Sequence, residues 1–209
     1  MRKLYFLVVG LLFFSGVQAQ IVNIPDANFK GKLIGLGIDT NSDGEIQNSE
    51  ALAIDTLNVP STGIIDLTGI SRFTNLKHLF CSYNQLSSLD LTGLVNLETL
   101  YCYANKLTSL NLTGLVNLKT LSCSENKLPS LDVAGLVNLE TLDCGGNQLT
   151  SLNVNTLQRL TYLRCDRNQV NSLDVSSIEK LEFLYCSGTQ LTSLNINKYP
   201  LGVIKLFDF

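Results

Sequence analysis

Residues 39–50 read DTNSDGEIQNSE and place oxygen-bearing side chains at the spacing D-x-[DN]-x-[DN]-G-x5-E. Carboxylate, amide and carbonyl oxygens are the donors that a calcium-binding loop supplies, and Gly44 permits the sharp turn between them. The predicted ligands are the side chains of Asp39, Asn41 and Asp43, the backbone carbonyl of Glu45, the side chain of Gln47 and the carboxylate of Glu50. The pattern therefore predicts a structural calcium ion as a cofactor of this segment.

The alternative for residues 39–50 is a polar surface turn that binds no ion. EF-hand loops usually work in pairs, and the sequence contains one such loop. The EF-hand-like interpretation is favoured because every constrained position matches, and because the export predicted below brings the loop to calcium-rich surroundings. Upstream, Asp26 is predicted to cap a helix that carries Phe29, Leu33 and Leu36 on one face.

The six cysteines form the second set of chemically active residues. They are Cys81, Cys102, Cys123, Cys144, Cys165 and Cys186, each 21 residues after the last. An even number in an exported chain is consistent with three disulfides, and neighbours on adjacent strands are close enough to pair. In-register side chains on parallel strands point the same way into the core, however, which favours six reduced, buried thiols. A zinc site is disfavoured because the sequence has no Cys-x-x-Cys and a single histidine.

Catalytic constellations are weak in this sequence. His78 lies three residues before Cys81, but that spacing on a strand puts the two side chains on opposite faces. Serine and aspartate recur with the repeat, which favours a structural role for them. The net charge of −3 and the pI of about 5.1 lack the basic character of a nucleic-acid-binding protein. The sequence therefore predicts a protein that is not an enzyme and does not bind nucleic acid.

A repeat of 21 residues must position all of these side chains. Leucines recur with this step in two further columns, at Leu76, Leu97, Leu118, Leu139, Leu160 and Leu181, and at Leu79, Leu100, Leu121, Leu142, Leu163 and Leu184. Asparagine follows the same step at Asn84, Asn105, Asn126, Asn147 and Asn168, and Thr189 takes the sixth place. One unit cannot bury its own apolar row, but stacked units can, with a short strand in each unit and the asparagine bonding to the backbone of adjacent coils. Thr189 lacks the amide group, so we expect this ladder to weaken there.

The unit L-x-x-L-x-C-x-x-N-x-L, as in LETLYCYANKL at 97–107, resembles the leucine-rich repeat, with cysteine at the third apolar place. The resemblance covers about residues 54–206, and the unit length is most similar to the short repeats of bacterial secreted, internalin-like proteins. It implies an α/β solenoid, right-handed and curved, with a parallel β-sheet on the concave face that usually binds a protein. The segment Pro25–Phe29 also matches the N-terminal segment of similar proteins, which implies a small helical N-terminal cap on the solenoid.

The chain is predicted to have three parts. Residues 1–19 have the charged start, apolar run and small residues of a cleaved signal peptide, and the run is too short for a membrane anchor. Residues 20–53 form the cap, with the EF-hand-like loop at 39–50. Residues 54–209 form the solenoid, with six regular units from about residue 76 and divergent first and last units; Thr62 takes the asparagine place in the first unit and Leu206 a strand place in the last. We expect a secreted, cell-surface or periplasmic protein with no transmembrane segment in the mature chain.

Residues that alternate with the core leucines are expected on the concave face. The candidates for partner binding are Phe80, Tyr101, Tyr103, Tyr162, Arg164, Phe183 and Tyr185. Exposed aromatic residues are enriched in binding hot spots, but aromatic residues also suit strands in general. Two functions remain open: an exported module that binds a protein or a surface glycan through this face, and a structural spacer or cap within a cell-surface protein.

Overall fold

The computed structural model describes residues 20–196 and 205–207. The predicted signal peptide, residues 1–19, lies outside the described residues, as do Leu201 and Ile204 of the predicted last unit. Helices α1 (Ala27–Gly35) and α2 (Asn48–Leu52) come first, and a 3-10 helix spans Ile70–Arg72. The strands are β1 (Thr56–Asn58), β2 (His78–Phe80), β3 (Thr99–Tyr101), β4 (Thr120–Ser122), β5 (Thr141–Asp143), β6 (Tyr162–Arg164), β7 (Ser172–Asp174), β8 (Phe183–Tyr185), β9 (Ser193–Asn195) and β10 (Lys205–Phe207).

Helix α1 begins after Asp26, whose carboxylate accepts a hydrogen bond from the backbone N–H of Phe29 at 2.9 Å. Phe29 and Leu33 are completely buried, as the helical spacing predicts. Leu36 is 45% exposed, so its prediction as a third member of this apolar face is wrong. The helix ends at Gly35, and Leu36 is the C-cap residue from which the chain turns away through Gly37, which has a φ of 74°.

The N-terminal segment and the repeats share one hydrophobic core, which includes Val22, Phe29 and Leu33 together with the repeat leucines. Asp26 also joins the two regions through hydrogen bonds. Its second carboxylate oxygen accepts from the backbone N–H groups of Ile65 at 2.8 Å and Asp66 at 3.0 Å. These bonds attach the start of α1 directly to the first coil of the solenoid.

Eight strands form one parallel sheet in the order β1-β2-β3-β4-β5-β6-β8-β10, and β7 pairs with β9 in a second, two-stranded sheet. The register aligns each core leucine with its counterpart in the next coil, beginning with Leu57 opposite Leu79. Leu206 of β10 lies opposite Leu184 of β8, as the divergent last unit predicts. The chain is therefore a solenoid with a parallel sheet.

The strand leucine and the cysteine of each coil are two of the residue columns that fill the interior behind this sheet. The central leucine of every strand from β1 to β6 is completely buried, and its two strand neighbours are half-buried or exposed. Each cysteine lies one residue beyond its strand, and the first five have no exposed surface. Cys186 is half-buried. The six cysteines, which all lie within residues 20–196, form no disulfide bond.

The asparagine side chains connect successive coils. The amide of Asn105 donates to the carbonyl oxygens of Cys102 in its own coil at 3.0 Å and Cys81 in the preceding coil at 3.1 Å. Its side-chain oxygen accepts from the backbone N–H of Leu86 at 3.0 Å. Asn126, Asn147 and Asn168 repeat this pattern. The hydroxyl of Thr189 donates to the carbonyl of Cys186 at 2.7 Å, which is the bond within the coil.

Candidate functional site

The predicted concave-face residues lie on one face of the eight-stranded sheet. All seven are half-buried: Phe80, Tyr101, Tyr103, Tyr162, Arg164, Phe183 and Tyr185. The register aligns Phe80 with Tyr101 on adjacent strands and Arg164 with Tyr185 further along the sheet. The structure thus brings the aromatic candidates together in two separate groups rather than in one.

The first group, here called the aromatic patch, consists of His78, Phe80, Tyr83, Tyr101 and Tyr103. Phe80 and Tyr101 make an edge-to-face contact with ring centroids 5.2 Å apart and planes at 78°. Tyr83 and Tyr103 repeat that geometry at 5.0 Å and 80°, and Tyr101 and Tyr103 are 6.3 Å apart. Aromatic pairs in this arrangement contribute about 0.5–1.5 kcal/mol beyond their buried area. The rings form a continuous surface without a charged side chain among its members.

Tyr83 is a member of this patch that the sequence analysis missed. It follows β2 in the turn, has a φ of 55° and is 60% exposed. The residue before each ladder asparagine repeats this left-handed conformation at Ala104, Glu125 and Arg167. Tyr83 could have been found from its place in the repeat, because the residue just before each ladder asparagine projects from the turn at the end of the strand.

Between the two groups lie β4 and β5, which present small and polar side chains. The hydroxyl of Ser124 donates to a carboxylate oxygen of Asp143 at 3.0 Å. Thr120 of β4 pairs in register with Thr141 of β5. Neither strand carries an aromatic residue, so these two strands divide the face.

The second group is a groove of about 440 Å³, here called the tyrosine–arginine groove, lined by Tyr162, Arg164, Asp166, Arg167, Tyr185, Ser187 and Gly188. The rings of Tyr162 and Tyr185 are 5.4 Å apart and tilted by 40° to each other. Phe183 lies beside them, with its ring 6.2 Å from that of Tyr162. Burial and the negative charge of Asp143 raise the pKa of Tyr162, so its hydroxyl keeps its proton near neutral pH.

Asp166 organises the charged side of the groove. Its carboxylate accepts two hydrogen bonds from Arg164, at 2.7 Å and 3.3 Å, and one from Nε of Arg167 at 3.2 Å. Arg167 also pairs with Glu125, two coils away. The bond to Asp166 raises the pKa of Arg164. Both guanidinium groups are held in place by carboxylates.

Two consecutive glycines make room for these pairs. A Cβ atom on Gly145 would lie 2.4 Å from a carboxylate oxygen of Asp166. A Cβ atom on Gly146 would lie 2.7 Å from a carboxylate oxygen of Glu125, which reaches across this coil to Arg167. A side chain at either position would displace the carboxylate that now lies there, Asp166 or Glu125.

The cysteines and His78 do not form a nucleophilic pair. The imidazole Nδ1 of His78 is 3.1 Å from the hydroxyl of Thr99 on the exposed face, whereas Cys81 lies in the core. Burial raises the pKa of the Cys81 thiol to about 12, and the pKa values of Cys102, Cys123 and Cys144 are raised as well. A protonated, buried thiol is a poor nucleophile.

The predicted calcium loop is closed by its own hydrogen bonds. Glu50 accepts from the backbone N–H and the hydroxyl of Thr40 at 2.7 and 2.6 Å, and from the backbone N–H of Gln47 at 2.9 Å. Asp39 accepts from the N–H groups of Asp43 and Gly44. Burial raises the pKa of Glu50, but these hydrogen bonds outweigh burial and leave it below its ordinary value.

The residues of this loop fit calcium in the type of their donors, because the predicted ligands are all oxygen atoms. The amides of Asn41 and Gln47 donate to one carboxylate oxygen of Asp43, at 3.0 and 2.7 Å. The side-chain oxygen of Gln47 is buried without a hydrogen-bond partner. Within residues 20–196, however, no group of three or more His, Cys, Asp and Glu side chains is arranged to hold a metal ion.

Comparison with known proteins agrees with the repeat. A sequence model of the family described as Leucine Rich repeats (2 copies) matches residues 55–114 and 116–157. The fold is that of the leucine-rich repeat. Internalin J of Listeria monocytogenes is 34% identical over 77 residues, which are 36% of this chain and 8% of that protein. The chain thus spans a small part of that relative's length.

Two solved structures share the solenoid. An internalin (InlF) from Listeria monocytogenes has a TM-score of 0.69 at 22% identity, covering 93% of this chain and 68% of that one. The functional domain of InlJ from the same organism, described as including a cysteine ladder, has a TM-score of 0.53 at 23% identity and covers 86% of this chain and 62% of that one. These similarities support the leucine-rich repeat fold. No helix in the described part of the chain is long and apolar enough to span a membrane.

A second asparagine ladder on the other side of the coils was not predicted. Asn96 donates to the carbonyl of Thr74 at 3.0 Å, and Asn117 donates to that of Val95 at 2.9 Å. Asn75 and Asn138 make equivalent bonds. The signal is present in the sequence, since an asparagine precedes the first core leucine of these units at the same 21-residue step.

Proposed function

We propose that this protein is an exported, non-catalytic interaction module that binds a protein partner through the exposed face of its parallel sheet. The observation that carries the proposal is the aromatic patch, in which four aromatic rings and His78 form one continuous surface. Tyr83 at its rim is 60% exposed, so a partner that covers it removes apolar surface from water. Residues of this type dominate the energetics of protein–protein interfaces.

The proposed location follows from the predicted signal peptide at residues 1–19. Export would place the module outside the cytoplasm, at the cell surface or in the surrounding medium. Mass spectrometry of the protein recovered outside the cells should give an N-terminus at Gln20. Recovery of the intact chain from the cytoplasm alone would contradict export without affecting the binding proposal.

The binding proposal is tested by comparing three versions of the mature protein. Extracellular proteins from the organism's surroundings are captured on the wild type, on Phe80→Ser/Tyr101→Ser, and on Val116→Ser. Val116 is 50% exposed and lies outside the aromatic patch, so its substitution is the matched control. We expect at least one protein to be retained by the wild type and the control and lost about tenfold or more on the double variant.

Equal capture by all three versions would contradict the proposal and favour the alternative, a structural spacer or cap. Circular dichroism melting of each version separates loss of binding from loss of fold. A double variant that melts with the wild type and still captures nothing specific supports a function of the patch itself. If the double variant unfolds, the single variant Tyr83→Ser provides the same comparison at an exposed position.

We also propose that the loop at 39–50 binds calcium and thereby stabilises the cap. Asp39, Asn41, Asp43, the carbonyl of Glu45, Gln47 and Glu50 would hold the ion. The unpartnered oxygen of buried Gln47 and the two amide groups that now solvate Asp43 support this proposal. Binding would have to replace the hydrogen bonds that Glu50 receives from Thr40.

Calorimetric titration of the mature protein with calcium chloride tests this role. We expect heat of binding and a higher melting temperature in calcium than in chelator. Asp43→Asn should reduce both effects, whereas the control Asp90→Asn, in a solenoid turn remote from the loop in sequence, should leave both unchanged. A titration without heat and without a melting shift would disprove calcium binding.

A further inference from the structure

We propose that the tyrosine–arginine groove is a binding site for a neutral oligosaccharide. The inference rests on the proposed function only in taking this face of the sheet as the binding face. The groove has about 440 Å³, is open to solvent, and lies apart from the aromatic patch, since β4 and β5 separate them. Its ligand class is inferred from ring geometry, charge balance and the available hydrogen-bond donors.

The rings supply the apolar part of the site. Tyr162 and Tyr185 have centroids 5.4 Å apart and planes tilted by 40°, so the two rings do not stack face to face. Both are half-buried, which holds them in place while leaving part of each ring accessible. An aromatic face carries negative partial charge and attracts the weakly positive C–H groups of a pyranose ring. Two such rings in one groove suit a ligand of linked sugar units.

The positive charges of the groove are fully compensated by carboxylates of the protein. Arg164 and Arg167 both donate to Asp166, Arg167 also pairs with Glu125, and a nitrogen of Arg164 lies 3.8 Å from a carboxylate oxygen of Asp143. Three carboxylates thus face two guanidinium groups. An anionic ligand would find no uncompensated positive charge, and a cationic one would compete with two arginines that are already bound. A neutral polar ligand avoids both costs.

Hydrogen-bond donors remain for such a ligand. A guanidinium group has five N–H donors, and Arg164 directs two of its nitrogens to Asp166. The side chains of Arg164 and Arg167 are 34% and 54% exposed, so a ligand in the groove can contact both of them. The carboxylate bonds fix both guanidinium groups before a ligand arrives, which lowers the entropy cost of binding.

A protein partner is less well matched by this groove than by the aromatic patch. Hot spots of protein interfaces are apolar centres surrounded by a rim that excludes water. Here the polar network lies within the groove beside the rings, and Asp166 at its centre is 7% exposed. Apolar rings flanked by fixed polar groups are the usual composition of a small-molecule site.

The test measures binding of defined sugars to the mature protein by isothermal titration. The neutral probes are hexasaccharides of β-1,4-glucose, α-1,4-glucose, β-1,4-mannose and N-acetylglucosamine, and the anionic probe is the hexasaccharide of galacturonic acid. We expect at least one neutral probe to bind and the anionic probe to bind more weakly. Tyr185→Ala should weaken binding about tenfold or more, because it removes one of the two ring faces. Tyr101→Ala, in the aromatic patch, should leave sugar binding unchanged.

A second pair of variants tests the charged network without altering a residue that lines the groove. Gly145→Ala places a methyl group against Asp166 and should weaken sugar binding several-fold by displacing the arginines. Gly135→Ala is the control, because no atom lies within 4 Å of its new Cβ. Both are checked for folding by circular dichroism.

Three outcomes would overturn the proposal: no neutral probe binds, the anionic probe binds best, or Tyr101→Ala weakens sugar binding as much as Tyr185→Ala does. The outcome is separable from that of the protein-binding proposal. If the wild-type protein captures a protein partner but binds no sugar, only the proposal for the groove is contradicted. If it binds sugar but captures no protein, only the proposal for the aromatic patch is contradicted.

Discussion

The aromatic patch and the tyrosine–arginine groove occupy equivalent positions of the same repeat. Phe80 and Tyr101 of the patch correspond to Arg164 and Tyr185 of the groove, four repeats further along the chain. In the patch, neighbouring rings contact one another edge to face. In the groove, two arginines and their carboxylates replace part of the aromatic surface. The difference shows that the core and the asparagine ladder fix the position of these side chains but not their chemistry.

The largest expected effect comes from breaking the ladder between the two regions. Asn126→Ala removes the acceptor for the backbone N–H of Leu107 and the donor to the carbonyls of Cys102 and Cys123, all in the buried interior. Unsatisfied buried groups cost about 1–3 kcal/mol each, so we expect the free energy of unfolding to fall by about 3–5 kcal/mol in urea denaturation. Both regions should lose their ligands together.

The control is Asn117→Ala in the second asparagine ladder, which removes one exposed hydrogen bond to the carbonyl of Val95. A net loss of about 0.5–1.5 kcal/mol is expected there. Equal losses for the two variants would mean that burial of the ladder that contains Asn126 contributes nothing to stability.

A smaller effect is expected from the carboxylate that distinguishes the groove. Asp166→Asn leaves two guanidinium groups without their shared anion, and we expect a loss of about 1–2 kcal/mol in the free energy of unfolding. Sugar binding should fall while protein capture by the patch is retained. Glu125→Gln, whose side chain is 48% exposed, should change stability by at most about 0.5 kcal/mol. A loss of patch function in Asp166→Asn would contradict the independence of the two regions.

Acid should destabilise the N-terminal cap before it destabilises the solenoid that carries the two sites. Burial raises the pKa of Asp26 and of Glu50, but backbone and side-chain hydrogen bonds outweigh burial and leave both below their ordinary values of 3.8 and 4.5. The folded state therefore gains stability from these carboxylates at neutral pH and loses it as the pH falls through these values and below. Hydrogen exchange between pH 7 and pH 3 should show the cap and first coil losing protection before β4 and β5. Uniform loss of protection along the chain would contradict this order.

Replacing Thr189, the residue at the asparagine position of the sixth unit, is expected to give a small gain in stability. Thr189→Asn should restore the bonds that Thr189 lacks, to the carbonyl of Cys165 and from the backbone N–H of Val170, by the geometry that Asn168 uses one coil earlier. We expect about 0.5–1.5 kcal/mol of stabilisation in thermal melting. Thr189→Ala, which loses the bond to Cys186, should be destabilised by a similar amount. A destabilised asparagine variant would mean that the last coil cannot accept the amide.

The cysteines should differ in their reactivity toward a thiol reagent according to their burial. Cys186 is half-buried and Cys81 is completely buried, so a thiol reagent should modify Cys186 first in the native protein. In denaturant and without reductant, all six cysteines should react. Fewer than six would indicate disulfides and would contradict the buried-thiol interpretation.

Periodicity explains what could be predicted from the sequence. Leu79, Cys81 and Asn84 recur at one step, and a side chain that must fill the same place in every coil leaves a visible column. The sheet, its register and the helix cap at Asp26 follow from such local rules. The prediction for Leu36 is wrong because helical spacing does not indicate where the helix ends, and the chain turns away at Leu36.

The groove was not predictable in the same way because it depends on exceptions to the columns. Gly145 and Gly146 matter through the space they leave for side chains of Glu125 and Asp166, which belong to other coils. Tyr83 was missed because its exposure follows from a left-handed backbone conformation rather than from strand alternation. The aromatic residues of the groove were predicted from the sequence, but the groove that they line was not.

The fixed register of the sheet has a consequence for evolution of this architecture. Adjacent strands of a sheet lie about 4.8 Å apart, so the patch on β3 and the groove on β6 are about 14 Å apart along the sheet. Gain of one 21-residue unit between β3 and β4 would increase that separation by a single step and leave the residues of both sites untouched, including Glu125 and Asp143, which pair with the arginines of the groove. Duplication of a short DNA segment is thus a way to tune the spacing between two ligands without redesigning either site.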